Sequence, residues 1–91
     1  MNQSANPELK LYNELRISEH GDGAVILDVR RGEVFSANAV GARILIFIQE
    51  NKNLDQIADQ ISNEFQAPRE LVGADVQRFV DSLRRSGLLQ A

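Results

Sequence analysis

Hydrophobic positions follow one period in the first third of the chain and another in the rest. From Leu15 to Ser18 apolar and polar residues alternate, which predicts a short strand. Ala24-Val25-Ile26-Leu27-Asp28 is an apolar, β-branched run and predicts a second strand. Glu33-Val34-Phe35-Ser36-Ala37 predicts a third. Between them, His20-Gly21-Asp22-Gly23 and Arg30-Arg31-Gly32 read as turns, because glycine reaches positive φ at little steric cost. Short strands joined by tight turns form an antiparallel meander, and in a meander the third strand lies at an edge.

After Asn38 the period lengthens to that of a helix. Asn38 is a good N-cap, and residues 39–50 place Ile44, Phe47 and Ile48 at i, i+3, i+4 spacing. Asn51-Lys52-Asn53 breaks this helix. Asn53 then caps the next one, with Gln56 completing a capping box. Leu54, Ile57, Ala58, Ile61 and Phe65 form its apolar stripe. Pro68 suits the first turn of a third helix, whose stripe is Val72, Val76, Phe79, Val80 and Leu83. Gly87 is placed to end it, and Leu88-Leu89 to fold back on the core. The order predicts an α+β domain: a three-stranded antiparallel sheet followed by three helices, winged helix-turn-helix-like in outline. The first ten residues are polar and aperiodic, so residues 1–12 are predicted as a flexible tail and 13–91 as one domain.

Composition narrows the chemistry. A chain of 91 residues fits one domain with one core and a modest groove, not a deep catalytic cavity. It has no cysteine, which removes disulfides, thiolate catalysis and cysteine-based metal sites. His20 is the only histidine, and it lies in a glycine-rich turn beside Asp22 with no further converging group. Gly21-Asp22-Gly23 joins two strands and lacks the helix that a phosphate loop needs. The carboxylates fall mostly on the polar sides of helices, with no pair in an apolar setting for acid–base work. No catalytic residue, metal or cofactor is predicted. Asp81-Ser82-Leu83 matches the attachment triplet of acyl carrier proteins, but it falls inside the last helix and late in the chain, which rejects that reading. The N-terminus lacks a secretory apolar stretch, and the longest apolar run is Ile44–Ile48, so a cytoplasmic protein without a membrane segment is expected.

Helices after small strands also suggest a winged-helix DNA binder. Residues 1–66 carry ten acids and six bases, whereas residues 67–91 carry three acids and four bases. Arg69, Arg78, Arg84 and Arg85 make the last helix slightly basic, but the net charge of −3 opposes phosphate contact. DNA binding is therefore the alternative reading. The feature with positive weight is the third strand. It carries one charge, Glu33, and no proline, so little blunts its edge. Such an edge beside a helix suits β-augmentation, in which an extended peptide adds as a further strand. A covered edge or a homodimer edge remains open on chain order alone, and a monomer or weak homodimer is expected.

Four segments together resemble the PqqD family. Gly23–Asp28, then Gly32–Asn38, then Gly41 with Ile44, resemble its strand-strand-helix opening. Leu54–Ala58 resembles its second-helix entry, and Asp75–Leu83 with Gly87-Leu88-Leu89 its C-terminal signature. Ala37 stands where a larger aliphatic residue is usual, and Phe47 supplies the aromatic in place of a tryptophan just after Ile44. The resemblance implies a peptide chaperone, or RiPP recognition element. Such a domain holds the leader of a ribosomally made precursor and presents the precursor to a modifying enzyme, commonly a radical S-adenosylmethionine protein, in PQQ or related biosynthesis. On that reading the leader pairs with Glu33, Val34, Phe35, Ser36 and Ala37 through about four or five backbone hydrogen bonds, each net ~0.5–1.5 kcal/mol. Phe35, Val72, Asp75, Val76 and Phe79 shape the groove, although core packing alone would also explain Val72, Val76 and Phe79. Asp75 or Arg78 fixes register by pairing with a leader charge. Proline at position 35 is expected to block the edge.

Overall fold

The computed structural model describes residues 9–90. Strands β1 (Leu15–His20), β2 (Gly23–Asp28) and β3 (Glu33–Ala37) precede helices α1 (Ala39–Gln49), α2 (Leu54–Phe65) and α3 (Arg69–Arg85). The sheet is an antiparallel meander in the order β1-β2-β3. Its register pairs Ile17 with Ile26 and Ile26 with Phe35, so these three side chains share the inner face. Arg16, Leu27 and Val34 share the outer face by the same alternation. β1 runs two residues beyond the predicted strand, to the turn at Gly21, whose φ is +57°.

Local signals explain the helix ends. The Asn38 side chain accepts from the Gly41 N–H at 2.9 Å. Asn53 and Gln56 form the reciprocal capping box, each bond 2.9 Å. Pro68 is the N-cap of α3 rather than a residue of its first turn, and its carbonyl accepts from Val72. Gly87, with φ +74°, ends α3 in the left-handed conformation that favours glycine.

α1 lies between the sheet and the other two helices, which is why Ala42, Ile44, Leu45, Phe47 and Ile48 are all buried. Ile57, Ala58 and Ile61 of α2 and Val72, Val76, Val80 and Leu83 of α3 complete the core from the far side. Phe65 departs from the expected stripe and is exposed. It is the last residue of α2, where Gln66 turns the chain at φ 53°.

The predicted tail is too long. Leu9 is buried in the core, and Leu11 bridges Leu89. The Tyr12 N–H donates to Leu88 and the Gln90 N–H to Lys10, at 3.3 and 2.7 Å. Residues 9–12 are thus tied to the end of the chain by backbone bonds, and the rest of the predicted tail lies outside the described residues.

A second set of ties joins the β2–β3 turn to the end of α3. Asp28 falls on the inner face and is fully buried, and its carboxylate accepts from the Arg30 Nε and Nη2 and from the Arg31 Nε, at 2.9–3.1 Å. Arg30 also donates to the Gly87 carbonyl at 2.8 Å, and Arg31 donates to that of Ser86. Cations are therefore placed at the negative end of the α3 dipole. The Arg30 guanidinium lies 3.7 Å from the centre of the Tyr12 ring, which adds the N-terminal segment to the cluster.

Candidate functional site: the β3 edge and the cleft beside α3

Which backbone groups of β3 are free follows from the ladder. In an antiparallel sheet, successive residues point their N–H and C=O to opposite sides. The Val29 N–H bonds to Glu14, toward β1, and the Asp28 carbonyl accepts from Gly32, on the β3 side. Asp28, Ile26 and Ala24 therefore face β3, and their partners Glu33, Phe35 and Ala37 face β2. The Ala37 carbonyl agrees, lying 2.3 Å from where a Cβ on Gly23 would stand. Val34 and Ser36 are left with their N–H and C=O directed away from the sheet, and no other strand pairs with them among the described residues.

β1 is the other edge of the sheet. It carries Arg16, Glu19 and His20 within six residues, the charged composition that discourages strand addition. β3 has only Glu33, already held by Arg31 at 3.3 Å. β3 is therefore the less charged of the two edges.

Where β3 ends, a cleft of about 410 Å³ opens between the first turn of α1 and the middle of α3. Asn38, Val40, Gly41, Ile44, Asp75, Arg78 and Phe79 line it. Gly41 makes the close approach possible. A Cβ there would stand 2.7 Å from Phe79 Cε1 and 3.1 Å from the Ala37 Cβ. The end of β3, the start of α1 and the Phe79 ring thus converge at one point, with the ring half-buried against the core.

The predicted site residues divide into three groups. Glu33 through Ala37 form the edge strand, with Phe35 and Ala37 on the inner face and Val34 and Ser36 on the outer. Asp75, Arg78 and Phe79 meet at the cleft. Val72 and Val76 do not join them. Both are buried in the core, so their side chains are consumed by packing. Asp75 and Arg78 also pair with each other, one turn apart and both exposed, so a charged guest must compete with an existing ion pair. Sequence reasoning did not assign the cleft wall made by Asn38, Val40, Gly41 and Ile44. The available signal was Gly41 itself, a glycine in the first turn of an otherwise apolar helix.

Electrostatics weaken the DNA alternative. Arg69 pairs with Asp59 and Asp55, Arg78 with Asp75, and Arg84 with Asp81. Carboxylates thus neutralise three of the four arginines that would have to meet phosphate. Among the described residues no group of three or more acids or histidines is placed to hold a metal ion, and no helix is long and apolar enough to cross a membrane.

Three strands before three helices, with an unpaired third strand and a cleft of mixed polarity at its end, define a small α+β domain. The family is shown directly: a family model described as coenzyme PQQ synthesis protein D (PqqD) matches residues 23–89, and the chain belongs to that family. Two solved structures are similar throughout. One is TbiB1 in complex with the TbiA(beta) leader peptide, at 29% identity and a TM-score of 0.83, covering 90% of this chain and 95% of that one. The other is a lasso peptide synthetase B1 complexed with the leader peptide, at 25% identity and a TM-score of 0.83, covering 93% of this chain and 100% of that one. No curated protein matches the chain.

Proposed function

We propose that this protein is a peptide chaperone. It binds the leader of a ribosomally synthesised precursor as a fourth strand along β3 and presents the precursor to a modifying enzyme. The observation that carries this reading is the pair of outward-directed backbone groups at Val34 and Ser36, beside the cleft at Gly41 and Phe79. Family membership supports it, as do two similar proteins each seen with a leader peptide.

The mechanism separates affinity from selection. Val34 and Ser36 offer two donors and two acceptors, so a guest forms about four backbone bonds, each net ~0.5–1.5 kcal/mol and indifferent to side-chain identity. Selection comes from the guest's inward-facing side chains, which lie beside Phe35 and Ala37 and reach the cleft wall at Phe79. Each apolar side chain buried there adds ~1.5–3 kcal/mol. The domain performs no covalent step on this reading. Holding the leader raises the concentration of the precursor's remaining segment at the enzyme. That enzyme is a radical S-adenosylmethionine protein or another enzyme that modifies such precursors.

An NMR titration with a precursor leader peptide that binds this protein tests the reading. The amides of Val34 and Ser36 are expected to shift most and to gain protection from hydrogen exchange, with Phe79 ring signals moving alongside. Shifts confined to β1, or to the arginines of α3, would overturn it.

A further inference from the structure

The outer face of the sheet breaks the pattern expected of a solvated one. An antiparallel sheet packed on one side normally turns polar residues to water. Here Val25, Leu27 and Val34 point outward, at 38%, 40% and 67% exposure, and Val34 is the barest large apolar side chain among the described residues. They are not arranged evenly. One row across the sheet reads Arg16, Leu27, Val34 and is apolar up to the open edge. The next row reads Ser18, Val25, Ser36 and ends in a hydroxyl.

We infer that Val34 reads the leader on the outer face, so that the peptide is selected on both sides of the strand it forms. The inference rests on the β3-edge reading and goes beyond the inner cleft. A strand bonded to Val34 and Ser36 has side chains of period two, so those beside Val34 and Ser36 lie on the outer face with them. Directly opposed Cβ atoms come within about 4.5–5.5 Å, which is contact distance. The guest residue beside Val34 extends the Leu27–Val34 row and covers an apolar side chain that is otherwise bare. The occupant is fixed by continuity: Val34 belongs to the strand that makes the backbone bonds, so any guest on this edge covers it. The leader therefore carries a β-branched or aromatic residue at this outward position. The position beside Ser36, two residues away, carries no such requirement.

The test uses the full chain and a probe selected on it, a random 15-residue peptide library displayed on messenger RNA. The tightest peptide that shifts the Val34 and Ser36 amides is carried forward, and nuclear Overhauser contacts identify its residue beside Val34. Val34→Thr keeps shape and strand propensity and is expected to weaken binding about fivefold, against less than about twofold for Ser36→Ala. Replacing the peptide residue beside Val34 by Asn is expected to weaken binding to the parent protein and to add little to Val34→Thr. If the peptide occupies the edge and Val34→Thr binds it equally well, outer-face reading is wrong and the edge reading stands. If no selected peptide shifts Val34 and Ser36, both fail. If Val34→Thr abolishes self-association in sedimentation while leaving peptide affinity unchanged, the face belongs to a second copy and the inference is overturned.

Discussion

Gly41 shows how one missing side chain shapes the site. A Cβ at this position would press on Phe79 Cε1 at 2.7 Å, and the ring is the part free to give way. Alanine is otherwise the better helix residue by ~1 kcal/mol, so Gly41→Ala brings a propensity gain against a local clash. Melting temperature is expected to change by less than about 5 °C. Peptide affinity is expected to fall about tenfold, because the displaced ring has the cleft to move into. Thermal melts with isothermal titration check this, and unchanged affinity would show that the Phe79 ring does not define the pocket. Part of this was legible in the sequence: the family resemblance points to Asp75, Arg78 and Phe79, and these three side chains line the cleft. The resemblance also points to Val72 and Val76, but both lie on the apolar stripe of α3, and their side chains are consumed by the core. Gly41 could be seen as unusual, but the ring it makes room for lies 38 positions away along the chain.

β3 was legible as an element, from Glu33 to Ala37, and so was its place at an edge, because tight turns leave a meander no other order. Its hydrogen-bond phase was not legible. Phase depends on how the turn after Asp28 closes, and composition does not reveal that. The difference decides which substitution tests the edge. Proline at position 35, which the sequence suggests, removes an N–H that faces β2 and breaks the sheet itself. Ser36→Pro instead removes a donor facing away from the sheet, the one setting in which an edge strand tolerates proline. Ser36→Pro is expected to fold with native circular dichroism and to lose peptide binding at least about tenfold. Phe35→Pro is expected to lose much of its stability. Equal binding by a folded Ser36→Pro variant would remove β-augmentation as the mode of recognition.

Across the described molecule, residues 9–12, residues 86–90 and the β2–β3 turn are held by contacts that no local pattern announces. Leu9 and Leu11 stand in a polar, aperiodic stretch that predicts a tail, yet Leu9 packs in the core and Leu11 bridges Leu89. Asp28 was a readable clue: it has the same parity as Ala24 and Ile26, so the strand turns a carboxylate inward, and two arginines follow. The cluster positions β3 against α3, since Arg31 spans from Asp28 to the Ser86 carbonyl and Arg30 from Asp28 to that of Gly87. Hydrogen bonds from Arg30 hold the Asp28 carboxyl down at about 2, against the opposing effect of burial and with help from Arg31. A carboxyl lowered on folding stabilises the protein above its unfolded value of about 3.8, and that stabilisation is lost as pH falls through about 2. Asp28→Asn leaves two guanidiniums without their shared anion. At pH 7 it is expected to lower the melting temperature by about 10 °C or more and to weaken peptide binding by loosening β3 from α3. Melts from pH 7 down to pH 2 should show the gap between parent and variant narrowing from about pH 4 and closing only near pH 2, because over that range the unfolded parent binds a proton that folded Asp28 does not take up until about 2. A gap that stayed constant down to pH 2 would mean that the carboxylate's charge is not what ties the turn to the helix, and that packing around it holds the edge in place.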